Sequence, residues 1–168
     1  MNTPPTRDII DELTGLTADA PLAQLRRQRP DVVRHLQGSD EAIFAPGNDA
    51  GLSAAERAAA GLRIAILLRD ARLERHYRAR LRQHDPDGGL AASVAQEPSS
   101  IVDPRWRAIL CHVDRLTADP DSARREHIDG LLASGLSPRA VIALSQLVAY
   151  VNFQVRLLAG LRILGDRP

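Results

Sequence analysis

The chain of 168 residues contains no lysine; all 22 of its basic residues are arginine. It carries one cysteine, Cys111, and only 3% aromatic residues. A single thiol excludes an intramolecular disulfide and a cysteine-rich structural zinc site. With so few aromatics the core has to be built from Leu, Ile, Val and Ala, which favours helix packing over a β-sandwich. Net charge is only +1 with 26% charged residues, a balance that argues against a dedicated binder of polyanions. The exclusive use of arginine, together with abundant alanine, reads as a bias toward GC-rich codons and carries no functional message.

Other absences narrow the class further. The opening residues, Met1-Asn2-Thr3-Pro4-Pro5, lack a basic region followed by an apolar run, so no leader is expected. The most apolar segment, Val141 to Leu164, is interrupted by Gln146, Asn152, Gln154 and Arg156 and makes a poor membrane span. No His-x-x-x-His pair or acidic cluster marks a metal site. The expectation is a cytoplasmic globular protein with no cofactor and no metal, bound to neither nucleic acid nor membrane.

What is present is helix punctuation. Asp8 to Leu13, Pro21 to Arg27 and Pro30 to about Phe44 read as helices, with Pro30 forcing the second break. Ser53 and Glu56 form a capping-box pair that opens a helix to about Leu68. Arg69-Asp70 marks a junction, and a second helix follows to about Gln83. Residues 85–101 read as a loop with room for one helical turn. Asp103-Pro104 opens a helix to about Thr117, and another runs from about Asp121 to Ala133 before Gly135. Ser137-Pro138 repeats the start signal, and the last helix reaches about Leu164. No segment reads as a strand. The expected architecture is all-α, with residues 1–50 as a helical extension packed on a domain formed by 51–168.

Several side chains could carry chemistry. On a helix, Leu73, His76 and Tyr77 share one face, opposite Arg75, Arg78 and Arg82. His76 is therefore either a core histidine or a general acid/base tuned by burial. Glu56 is either only a cap or also a partner of that histidine. Cys111 points away from the apolar face formed by Trp106, Ile109, Leu110, Val113 and Leu116, and has no neighbouring cysteine. His112 lies on the flank of that face. His35, His84 and His127 read as surface or capping residues. The last helix is apolar nearly all round, which suggests burial at a subunit contact as well as in the core. Its polar stripe of Ser145, Asn152 and Arg156 lines a pocket or a solvated edge. The interleaving of Asp70 and Glu74 with the arginines of 69–82 favours a solvated face over a nucleic-acid footprint.

The stretch L-S-A-A-E-R-A-A-A-G-L-R-I-A-I-L-L-R-D-A-R-L-E-R-H-Y-R-A-R-L-R-Q-H, from Leu52 to His84, resembles the core helix pair of the carboxymuconolactone decarboxylase / alkylhydroperoxidase (AhpD-like) superfamily. Gly135-Leu136-Ser137, Tyr150, Asn152, Phe153 and the run Arg156-Leu157-Leu158-Ala159-Gly160-Leu161 resemble its peroxidase-related branch. Redox members place a C-x-x-C-x-x-x-H after the glutamate. Here the histidine is His76, but the two cysteine positions hold Arg69 and Arg72. Arginine supplies neither a thiolate nucleophile nor a resolving thiol, so thiol peroxidase activity is not expected. The resemblance implies an AhpD-like helical bundle that self-associates as a trimer or hexamer, with a dimer as the alternative. It also implies an acid/base pair of Glu56 and His76, with Arg69, Arg72, Tyr77, Asn152 and Arg156 around an unidentified small-molecule ligand. The alternatives are a non-catalytic oligomeric scaffold and a peroxidase working through Cys111.

Overall fold

A computed structural model describes residues 8–47 and 49–165. The Pro4-Pro5 opening lies outside them, as does the end of the second segment at 166–168. The described residues are helical, with no strand among them. Nine α-helices follow in order: α1 (Ile9–Thr14), α2 (Pro21–Arg27), α3 (Pro30–Phe44), α4 (Ala54–Leu67), α5 (Ala71–Arg82), α6 (Gly89–Ser93), α7 (Pro104–Ala118), α8 (Arg125–Ala133) and α9 (Pro138–Gly165). Short 3-10 turns stand at Pro98–Ser100 and Pro120–Ser122.

Helix α4 is the centre of the bundle and packs against α5, α7 and α9. Its small residues allow this. Ala58, Ala59, Ala60 and Ala65 are completely buried, and a Cβ on Gly61 would stand 2.6 Å from the Tyr77 ring. The helix starts where the sequence indicates: Ser53 Oγ accepts from the Glu56 N–H at 3.0 Å, and Glu56 Oε2 accepts from the Ser53 N–H at 2.7 Å. It stops at a tight link. Arg69 adopts a left-handed φ of 56°, and Asp70 caps α5 by accepting from the N–H groups of Arg72 and Leu73. The two helices therefore run antiparallel as a hairpin.

Long-range polar ties fix the surrounding elements. Arg63 is buried on α4 and makes a double contact with Asp114 of α7, at 2.7 and 2.6 Å. Its remaining nitrogen donates to the carbonyls of Val94 and Gln96. That guanidinium pins the 85–101 segment, which contains α6 and a 3-10 turn where the sequence indicated one helical turn. A directed chain of hydrogen bonds crosses the core. Tyr77 Oη donates to Gln154 Oε1 at 2.6 Å, Gln154 Nε2 donates to Tyr150 Oη at 3.0 Å, and Tyr150 faces Asp40 at 3.5 Å. Arg80 closes the chain on Asp40 at 3.0 Å and lies 4.2 Å from the centre of the Phe44 ring. The Tyr77 and Tyr150 hydroxyls and both ends of the Gln154 amide thus have partners, which is what makes them tolerable inside the core.

The N-terminal helices are held mainly by charge. Asp11 faces Arg26 and Arg27, Asp8 caps α1, and the Ile9 N–H donates to buried Gln37. Helix α8 begins four residues later than Asp121, because Pro120–Ser122 forms a separate 3-10 turn. Its start is capped by His127, whose Nδ1 accepts from the Arg124 N–H at 3.0 Å. Helix α9 has apolar side chains both toward the core and on the outside of the single chain. Ile142, Phe153, Ile163 and Leu164 are exposed, while Leu144, Leu147, Val151 and Leu158 enter the core. By length and composition it is the one helix among the described residues apolar enough to cross a membrane, and half of its apolar window is buried in the protein.

Candidate functional site

Helix α5 presents its two faces differently. Leu73, Tyr77 and Leu81 are buried against α4, while Arg72 and Arg75 are exposed. His76 sits at the border, half-buried, with its ring edge-on to Tyr77 at 5.0 Å between centroids. The face pattern in the sequence set Arg75 opposite His76; instead positions 75 and 76 lie three and four residues after Arg72, so all three border the same side of the helix. Together with Glu12, Leu13 and Gly15 of the α1 end they line a depression of about 450 Å³. Arg72 also donates to the carbonyls of Leu13 and Thr14. It thereby satisfies the exposed C-terminal carbonyls of α1 and holds that helix end as one wall of the depression.

Glu56 occupies a different place. Its Oε1 accepts from Arg105 Nε at 2.8 Å, and its Oε2 is the capping-box acceptor. Arg105 in turn donates to the carbonyls of Gly51 and Gly135. Gly135 has a φ of 92°, a conformation glycine adopts without a Cβ penalty. Glu56 is thus the hub that joins the starts of α4 and α7 to the loop before α9. In an antiparallel hairpin with 1.5 Å rise per residue, it stands about 9 Å from the level of His76 along the axis. Nothing in the depression's lining includes it.

The other sequence candidates separate as well. Arg69 is exposed and forms the α4–α5 link. Tyr77 is fully buried, and its hydroxyl serves the core chain through Gln154. Burial holds its phenol far above the ordinary range, with Asp40 and Tyr150 adding to the effect. Asn152 is buried and donates to Thr117 and to the Val148 carbonyl. Arg156 is exposed and folds back onto Asn152 at 2.9 and 3.1 Å. Of the seven candidates, His76 and Arg72 share the wall of this depression, and Arg75 joins them.

A second constellation was only partly legible. His112 is buried on α7, and its Nε2 lies 3.0 Å from Ser145 Oγ on α9. The serine hydroxyl donates to the Val141 carbonyl at 2.9 Å. It has one hydrogen to give, so Nε2 of His112 carries the proton and donates in that arrangement. Two adjoining cavities of about 300 and 420 Å³ share His112, Arg115 and His127 in their walls. Burial first, then Arg115 and His127, depress the His112 pKa below its ordinary value. The residues are 33 positions apart, and no sequence spacing could connect them. Cys111 lines the smaller cavity and is exposed. Desolvation and Asp114 raise its thiol pKa against the opposing pull of Arg115, Arg107 and Arg63.

Among the described residues, no group of three or more His, Cys, Asp or Glu side chains gathers as a metal site. No family model and no curated protein matches the chain.

Proposed function

We propose that this chain is an AhpD-like, carboxymuconolactone-decarboxylase-type helical protein that works on a small carboxylate-bearing molecule at His76 without thiol redox chemistry. The observation that carries the reading is the common wall formed by Arg72, Arg75 and His76. Two guanidinium groups recognise a carboxylate by charge and by paired N–H donors. An imidazole at the border of the core is suited to take or return a proton beside that anion. Arg72 occupies one of the two positions where redox relatives carry cysteine, so anion binding takes the place of the thiol. Glu56 contributes by fixing the base of the bundle through Arg105, and proton transfer rests on His76. Substitution tests this. His76→Gln should remove ligand-dependent proton transfer while the fold stays intact, and unchanged activity would defeat the reading.

A second reading, a non-catalytic assembly subunit, is favoured by the exposed apolar side of α9.

A further inference from the structure

Helix α9 carries an uninterrupted seam on its outer side. Ile142, Gln146, Ala149, Phe153, Arg156, Gly160 and Ile163 follow one another in steps of four and three, and every one of them is exposed. Ile142 is 61% exposed, Phe153 43% and Ile163 69%. Alternating steps of four and three are the spacing by which one helix lies along another and keeps the same side toward it.

We propose that this seam pairs antiparallel with the same seam of a second copy of the chain. The order of side chains supports that occupant. The helix Pro138–Gly165 has its midpoint beside Val151. Antiparallel pairing about Val151 sets Ile142 against Gly160, Gln146 against Arg156, and Ala149 against Phe153. Ile142 and Phe153 each meet a small residue, which lets the backbones approach and fills the space between them, while Ile163 falls opposite Arg139 at the end of the seam. The polar pair meets at matched depth, where the Gln146 amide oxygen accepts from the Arg156 guanidinium. Parallel pairing would place Arg156 on Arg156 and Gly160 on Gly160, opposing like charges and leaving a gap. It would also align the two helix dipoles that antiparallel pairing offsets.

Size agrees with this partner. A 28-residue helix is about 42 Å long. Contact along that length buries on the order of 1,000 Å² in total, where specific interfaces begin. A lipid surface is a poorer occupant, because Arg156 lies within the seam and a guanidinium is costly to bury in hydrocarbon. The pairing is independent of the His76 reading and uses none of its residues.

The full chain with Cys111→Ser provides the test. Its mass by light scattering should be twice the 18.3 kDa of the chain. Phe153→Glu should return it to a single chain mass with its helical circular dichroism unchanged. Oxidising an equal mixture of chains bearing Ala149→Cys or Phe153→Cys should give mainly the mixed disulfide. Three results would overturn the proposal: a single chain mass before substitution, a larger assembly that Phe153→Glu leaves intact, or mainly 149–149 and 153–153 disulfides. Flotation of a monomeric chain with phosphatidylcholine vesicles, abolished by Phe153→Glu, would overturn it in favour of a lipid surface.

Discussion

Glu56 and Arg105 meet at 2.8 Å between Oε1 and Nε, and the pair joins the first turn of α4 to the first turn of α7. The same carboxylate closes the capping box with Ser53. Glu56→Gln therefore weakens two ties at once. The pair is partly exposed, at 16% for Glu56 and 31% for Arg105, so solvent reduces its worth. A loss of about 1 kcal/mol in urea unfolding is expected. Ligand binding at His76 should be unaffected. A selective loss of binding with unchanged stability would instead put Glu56 in the site.

Gly61 faces the Tyr77 ring so closely that an added Cβ would stand 2.6 to 3.0 Å from three ring atoms. The ring cannot retreat, because Gln154 holds its hydroxyl and Phe44 packs 5.5 Å away. Gly61→Ala should gain about 1 kcal/mol of helix propensity and lose about 1–3 kcal/mol to overpacking. The clash should win, and denaturant unfolding should show a less stable protein. A stabilised variant would mean that the α4–α5 contact is looser than described.

His112 titrates with a defined sign. Its folded pKa lies below the ordinary 6.5 because of burial, with Arg115 and His127 adding repulsion. As pH falls, the unfolded chain takes up the proton first, so stability is lost from about pH 6.5 down to the folded pKa. His112→Gln keeps a donor for Ser145 and should remove that portion of the acid loss. Thermal unfolding of both proteins through this range gives the comparison, and identical slopes would contradict the assignment.

Cys111 is the only thiol in the chain, and its pKa is raised. Little of it is thiolate at neutral pH, and the thiolate is the nucleophile. Treatment with hydrogen peroxide followed by sulfenate trapping should label it more slowly than a free cysteine. Rapid labelling, coupled to peroxide consumption that Cys111→Ser abolishes, would revive the peroxidase alternative.

The helix punctuation of this chain was readable because it is local. Ser53 with Glu56, Asp103 with Pro104, and Asp70 after the α4–α5 link act within four residues of themselves. The long-range pairs were not readable. Arg63 with Asp114 spans 51 positions and Tyr77 with Gln154 spans 77, and no period in the sequence encodes such meetings. The candidate site divided along the same line. His76 and Arg72 were linked in the sequence by the family resemblance, and they share a wall with Arg75, which the face pattern had set opposite His76. Glu56, Tyr77 and Asn152 carried signals equally suited to structure, and each has a structural partner: Arg105, Gln154 and Thr117. The exposed side of α9 was obscured because a helix apolar on all faces gives no hint of which face the core takes.

The most direct test of the central claim is a titration of the histidine-labelled full chain with succinate, followed through the side-chain nitrogen resonances. The His76 resonances should shift and saturate, while those of His35 and His84 stay in place. Arg75→Gln should weaken the binding roughly tenfold, the loss expected for one charge-assisted contact. An unshifted His76, or binding that Arg75→Gln leaves unchanged, would contradict the account.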